Sequence, residues 1–282
     1  MKMKTNKIPY NKLTDKDKQN IINSYYQYKN LKFKELAELC NVSERAYSRV
    51  LKENNIDTHI KNRYTLNQNY FEIIDTEHKA YWLGFIYADG YVGDEKHNNI
   101  VISLSDKDYY HLEKFKSDIE YTGEIRISEI KQGFESEHDA CVINFSNKKM
   151  ASDLRNLKLY PNKSITMFEF PDIPENLIKH FIRGYFDGDG SITDHIRNDS
   201  HNHRFVMTIL GTIEFLNIMF NKLPVNTLIR PCKTPNMQYL VCSKTEDMIH
   251  LFHYFYDDST IYLDRKYNVW KNIIEIYGHL EK

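Results

Sequence analysis

The sequence predicts an α+β fold in which one unit is written twice, preceded by a small all-α domain. Three observations predict it. An apolar segment ending in Asp-Gly occurs at Trp82–Gly90 and again at Ile182–Gly190, with Asp89 and Asp189 100 residues apart. Each copy is followed by the same alternation of period-2 and period-3.6 hydrophobic patterns, which reads as hairpin, helix, hairpin, helix. The first 63 residues carry helical stripes only. The expected domains are 1–63, a helical domain with its linker, then repeats at 64–172 and 173–282.

In the helical domain, Thr14 is a natural N-cap, with Asp15 and Asp17 in the first turn. Ile21, Ile22, Tyr25 and Tyr28 give the first helix its stripe. A short helix follows at about 33–40, then a tight turn at Asn41-Val42. Ser43 caps a third helix at about 44–53. This is the helix-turn-helix order, and it resembles the trihelical DNA-binding domains of recombinases and regulators. Arg45, Tyr47, Ser48, Arg49 and Lys52 are the candidate groove-reading side chains of the third helix, with Arg63 in the basic linker.

Repeat 1 opens with a helix at about 77–88. A hairpin is expected at 91–93 and 99–104, and Asp106 is expected to cap a helix to about 119. A second hairpin at 124–130 and 139–145 and a helix at 148–157 complete the repeat. Repeat 2 gives hairpin strands at 191–197 and 203–210, a helix at 212–221, strands at 227–230 and 238–242, and a helix at 244–256. A last helix lies around 268–277. Each repeat therefore reads α-β-β-α-β-β-α.

Gly84 and Ala88 in the first segment, and Gly184 and Gly188 in the second, are four apart and share one helix face. Two such smooth faces can pack more closely than the usual interaxial distance of about 8–10 Å. Parallel packing would bring Asp89 and Asp189 together. A helix C-terminus disfavours acids, and two close carboxylates resist ionising together. A hard divalent cation removes both difficulties. The candidate metal donors are Asp89 and Asp189 with the backbone of Ala88, Gly90, Gly188 and Gly190.

The paired segments resemble the motifs of single-chain LAGLIDADG homing endonucleases over roughly residues 64–282. The catalytic position of that family falls on Asp89 and Asp189. The sixth motif position, usually acidic, is Tyr87 in the first copy and Asp187 in the second. The resemblance implies a pseudo-two-fold saddle whose sheets lie in the major groove. It also implies Mg²⁺ as cofactor, with Mn²⁺ as a substitute, and double-strand cleavage leaving 3′-overhangs. A long asymmetric duplex DNA site read by a monomer is the expected partner, with the chain's own intron RNA as a second one. Arg126, Ser128, Arg197, Arg204, Arg230 and Gln238 on the hairpins are the candidate DNA contacts. A basic residue supporting the attacking water is expected in each repeat. Lys163 and Lys266 stand 74 and 77 residues after their motif acids, with Arg265 as the rival in repeat 2. A non-cleaving transcriptional regulator and an intron maturase are the alternative functions.

Composition limits these readings. The net charge is −1, yet residues 1–63 hold 14 Lys and Arg against 7 Asp and Glu, and the remainder 24 against 32. A basic arm on an acidic body suggests that the arm supplies much of the phosphate attraction. No apolar run is long enough to span a membrane, and no signal peptide is expected. The four cysteines are scattered, which argues against a structural zinc site. His195, His201 and His203 read as part of a solvated hairpin tip. The 21 tyrosines carry no functional reading.

Overall fold

The computed structural model describes residues 7–28, 31–56, 64–128, 139–161, 163, 169–196 and 203–280. The chain divides into two compact units, Met1–Thr65 and Leu66–Lys282.

The first unit holds α1 (Asp15–Gln27), α2 (Phe33–Leu39) and α3 (Glu44–Glu53). Thr14 and Asp17 form a reciprocal capping box at the start of α1. The turn between α2 and α3 is made by Asn41 at φ 53°, a left-handed conformation that Asn tolerates. Ile21, Leu36, Val42, Val50 and Leu51 fill the core. Tyr47 is buried with them, and its hydroxyl meets Ser24 Oγ at 2.9 Å. This corrects the expectation that Tyr47 faces outward: the ring is large enough to close a three-helix core, and its hydroxyl finds a partner inside.

The second unit is built from two repeats. The first runs α4 (Glu77–Asp89), β1 (Gly90–Val92), β2 (Asn99–Ser105), α5 (Tyr109–Asp118), β3 (Arg126–Ser128), β4 (Ala140–Ser146) and α6 (Lys148–Asn156). The second runs α7 (Ile178–Asp189), β5 (Gly190–Ile196), β6 (His203–Thr212), α8 (Ile213–Phe220), β7 (Leu228–Pro231), β8 (Met237–Cys242) and α9 (Thr245–Tyr256). A final helix, α10 (Asp264–Tyr277), starts four residues earlier than its hydrophobic stripe suggests. Each repeat forms one antiparallel sheet, in the orders β1-β2-β4-β3 and β5-β6-β8-β7. Asp106 does not cap α5. It sits in a 3₁₀ turn, where its carboxylate accepts from the Lys107 N–H, and the helix starts at Tyr109.

The sheets are buried on one face only. In β2, Ile100, Ile102 and Leu104 are buried while Ser103 and Ser105 are exposed. In β6, Phe205, Met207 and Ile209 are buried against half-exposed Val206 and Thr208. Helices α4 and α7 form the seam between the repeats. In α4 every residue from Ala80 to Ala88 is buried, as a helix enclosed on all sides requires; α7 is buried from His180 to Asp187 but carries the polar His180, Arg183 and Asp187 inside.

Candidate active site

The site is built at the bottom of the α4–α7 seam. A Cβ on Gly84 would lie 1.9 Å from the Phe181 carbonyl oxygen, and one on Gly184 would lie 1.9 Å from that of Tyr81. Each glycine thus admits the backbone of the other helix three residues before its counterpart, a reciprocal contact that fixes a parallel, pseudo-two-fold register. One turn further on, a Cβ on Gly188 would lie 2.2 Å from Ala88 Cβ and 3.4 Å from Asp89 Oδ2. Asp89 and Asp189 are brought together by this close approach.

Gly90 and Gly190 end the helices without a left-handed cap. Their φ values are −82° and −88°, extended backbone open to any residue. Space decides instead. A Cβ there would meet Ile86 Cγ2 at 2.5 Å or Phe186 Cδ2 at 2.3 Å. The chain thereby passes from helix to first strand within one residue, and each acid stands at the root of a sheet.

Asp89 is exposed as a whole residue and Asp189 half-buried, but the Asp89 carboxylate turns toward the seam, its Oδ2 3.4 Å from where a Cβ on Gly188 would stand. Loss of hydration raises both carboxyl pKa values, that of Asp189 to about 6. Lys163 is the largest opposing influence on each, and the charge of Asp89 raises Asp189 further. These are two carboxylates that resist joint ionisation.

The two lysines occupy matching places. Lys163 Nζ donates to the carbonyls of Ile86 (2.9 Å), Tyr87 (2.8 Å) and Ala88. Lys266 Nζ donates to those of Phe186 (2.8 Å), Asp187 (2.7 Å), Gly188 (3.3 Å) and Gly190 (2.5 Å). Each ammonium caps the C-terminus of one motif helix, where unpaired carbonyls and the macrodipole favour a cation. Burial lowers both lysine pKa values to about 8, offset in part by the charges of Asp189 and Asp89 at Lys163 and by that of Asp187, then Asp89 and Asp189, at Lys266. Arg265, the rival to Lys266, is turned away: its Nε donates to both oxygens of Asp108 at 3.1 and 3.0 Å.

The sixth motif position is structural in both copies. The Tyr87 hydroxyl donates to the Leu157 carbonyl. Asp187 is fully buried and accepts from the Tyr81 hydroxyl (2.7 Å) and the Leu263 N–H (2.8 Å). Tyr81 also meets His111 Nε2 at 2.9 Å. At the other end of the seam, Arg183 is 0% exposed and holds Glu77 at 2.6 Å across the repeats, together with the carbonyls of Phe255 and Ile261. The Arg183–Glu77 pair was not legible in sequence, because its members lie 106 residues apart.

The remaining candidates fall into three groups. In the first unit, Arg45, Ser48, Arg49 and Lys52 are exposed at a spacing of three, one and three residues, one face of α3. The Arg49 guanidinium lies 4.0 Å from the Tyr10 ring centroid and its Nε 2.9 Å from Glu53 Oε1, which fixes its direction. In the second unit, Arg126, Arg204 and Arg230 are exposed on the helix-free faces of the sheets, and Ser128 pairs with Ala140 in the register of β3 and β4. Gln238 is a correction. It shares the core-side register of β8 with buried Leu240 and Cys242, and Tyr239 is the outward residue. The alternation of Leu240 and Cys242 would have revealed this. Arg63, Arg197 and His201 lie outside the described residues. His203 pairs with Asp194 at 2.7 Å. Among the described residues no cluster of three or more His, Cys, Asp or Glu could hold a metal, and no helix is long and apolar enough to cross a membrane.

The donor chemistry fits a hard divalent cation. Two carboxylates with raised pKa values stand beside the helix-end carbonyls of Ala88 and Gly188, each with a second lone pair beyond the one its lysine engages. Every donor is oxygen.

Two α-β-β-α-β-β-α repeats, joined by glycine-notched helices that each deliver an acid to a shared centre, define a two-repeat, pseudo-two-fold α+β protein. The family model described as LAGLIDADG-like domain matches residues 176–254, within the second repeat; the first repeat has the same element order, motif acid and lysine cap. An uncharacterised protein of Methanocaldococcus jannaschii is 28% identical over 155 residues, 51% of this chain. The chain spans about half, 53%, of that relative's length. Among solved structures, the I-SmaMI LAGLIDADG homing endonuclease bound to cleaved DNA is similar at 13% identity, over 74% of this chain and 91% of that one, with a TM-score of 0.48. I-GzeII in complex with its DNA target is similar at 15% identity, over 72% and 90%, with a TM-score of 0.47.

Proposed function

We propose that the chain is a site-specific double-strand DNA endonuclease of the LAGLIDADG homing type, hydrolysing phosphodiester bonds and leaving 3′-overhangs. The observation that carries this reading is the distribution of charge around the acid pair. Although residues 64–282 hold 32 acids against 24 bases, no Asp or Glu among the described residues occupies an outward register position of either sheet. The acids of the unit lie elsewhere. Two acid-free β surfaces carrying Arg126, Arg204 and Arg230 extend from Asp89 and Asp189, and β surfaces of this kind can enter the major groove.

Asp89 and Asp189 would hold the cation, Mg²⁺ with Mn²⁺ as substitute, together with backbone oxygens of Ala88, Gly188 and their neighbours Gly90 and Gly190. When bound, it supplies Lewis-acid polarisation of a phosphoryl oxygen. Lys163 and Lys266 hold fixed positive charge beside the scissile region. Their hydrogen bonds to the helix ends orient them before substrate arrives, so little reorganisation is needed as negative charge develops. The first unit adds a second duplex contact through Arg45, Ser48, Arg49 and Lys52, which lengthens the site and makes it asymmetric.

The test is incubation with DNA from the source genome lacking the element, with and without Mg²⁺, followed by mapping of ends. Asp89→Asn and Asp189→Asn should fold, bind DNA and lose double-strand cutting. Full cutting by either variant refutes the assignment.

A further inference from the structure

The two sheet faces differ in chemistry in a way that the motif does not foretell. On the first, the central strands present Asn99, Ser103, Ser105, Asn144 and Ser146 with Val101, Ala140 and Val142 among them, and the exposed Tyr91 stands beside Val101 on the edge strand. On the second, they present Arg204, Val206, Thr208 and Leu210 from β6 and Tyr239 and Val241 from β8, with Leu228 and Arg230 on the edge strand. Leu228 is 58% exposed and Tyr239 37%. Register places Leu228, Val241 and Thr208 in one row across three strands, and Arg230, Tyr239 and Leu210 in the next. A soluble surface seldom gathers apolar side chains in adjoining rows without a partner for them.

What covers this face is constrained by its position. Strand β5 begins at Gly190, the residue after Asp189, so the apolar rows belong to the same sheet as one motif acid. Arg204 and Arg230 flank them and no acid interrupts them. A partner must therefore be anionic at its edges and apolar at its centre. Duplex DNA offers that combination where the major groove exposes thymine 5-methyl groups between phosphate backbones.

Resting on the reading of these sheets as the DNA surface, we propose that repeat 2 reads a thymine-rich half-site through 5-methyl contacts, while the amide and hydroxyl face of repeat 1 reads its half-site by hydrogen bonds. Asn is the side chain that pairs bidentately with adenine, and Ser accepts either base. Val, Leu and the Tyr ring can offer only contact area, and among the bases of DNA thymine alone presents a methyl for it.

The experiment uses the full chain in Ca²⁺ in place of Mg²⁺ with a library of duplexes randomised over the bound length. The bound fraction is sequenced. Thymine should be enriched in one half only. Single replacement of those thymines by deoxyuridine, which removes just the methyl, should weaken binding about fourfold each. In the Leu228→Ser/Val241→Ser variant the same replacements should have no further effect, since the contact is already gone. The control Val142→Ser, on the other sheet, should leave the uracil effect intact, and tryptophan fluorescence melts should match the parent for all variants. Thymine enrichment absent or equal in both halves, or an unchanged uracil effect in the double variant, overturns the proposal. So does a double variant that loses self-association rather than methyl sensitivity, which would make the face a contact between copies. Adding Mg²⁺ to the selected duplexes separates the two readings. Binding with one-sided methyl sensitivity but no cleavage removes the endonuclease function and leaves this inference; cleavage indifferent to uracil does the reverse.

Discussion

Replacing Gly84 by Ala tests the seam on which the site depends. The new Cβ would stand 1.9 Å from the Phe181 carbonyl oxygen, 2.8 Å from its carbon and 2.9 Å from the Tyr185 nitrogen, where ordinary contact begins at 3.4 Å. All three are backbone atoms, so no side chain can swing away. Relief requires the helices to separate by about 1.5 Å, the shortfall between those distances. The surrounding Tyr81, Trp82, Phe85, Phe181 and Tyr185 are all 0% exposed and would lose contact together. Overpacking typically costs about 1–3 kcal/mol, and rigid walls on both sides point to the top of that range or beyond. Higher helix propensity of Ala returns about 1 kcal/mol. The expected net loss is about 2–4 kcal/mol. Urea unfolding followed by tryptophan fluorescence measures it cleanly, because both tryptophans, Trp82 and Trp270, are buried in the second unit. Gly184→Ala should behave alike, since its Cβ meets the Tyr81 oxygen at the same 1.9 Å. The double variant should cost at least about 1 kcal/mol less than the sum, because helices already parted admit the second methyl more easily. A single variant within about 0.5 kcal/mol of the parent, the level of an ordinary surface change, or strict additivity of the two, would refute the close-contact reasoning.

Lys266→Met should lower stability by about 2 kcal/mol, the scale of charged hydrogen bonds lost from the four helix-end carbonyls. It should also slow single-turnover cleavage by roughly 10²-fold with little change in Ca²⁺-supported binding. A fall in binding with unchanged cleavage rate would make the lysine a phosphate clamp. Glu77→Ala leaves the buried Arg183 uncompensated and should cost about 3–5 kcal/mol by the same unfolding assay; near-neutral behaviour would mean the pair is not buried as described. His111 is buried and its pKa is pushed down to about 3 by lost hydration. A depressed folded pKa means that stability is full above the unfolded value of about 6.5 and is lost as pH falls toward 3. Between pH 6.5 and 4.5 the parent should lose about 2 kcal/mol through this group, and His111→Gln should flatten that slope. Equal pH slopes in parent and variant would show His111 to be solvated. Removing residues 1–63 should weaken DNA binding and reduce its salt dependence, read from binding at several salt concentrations; an unchanged slope would exclude the first unit from the DNA contact.

What depends on neighbours along the chain was legible in the sequence. Hydrophobic period, caps and turn residues placed the helices and strands of both repeats, with errors at ends such as Asp106 and the start of α10. The repeated Gly-x-x-x-small spacing also gave the seam, since a helix face is a local property, and with it the meeting of Asp89 and Asp189. The equal offset of Lys163 and Lys266 marked them, but not their bonds to the helix-end carbonyls. Tertiary structure alone decided those bonds, because they close loops of some 75 to 80 residues that no local pattern encodes. It likewise decided that Tyr47 turns inward, that Asp187 serves the core and that Arg265 belongs to Asp108. Above all it decided where the charge lies. A net sum treats the acidic body as one quantity, whereas pairing register sorts side chains by face, and among the described residues no acid takes an outward strand position.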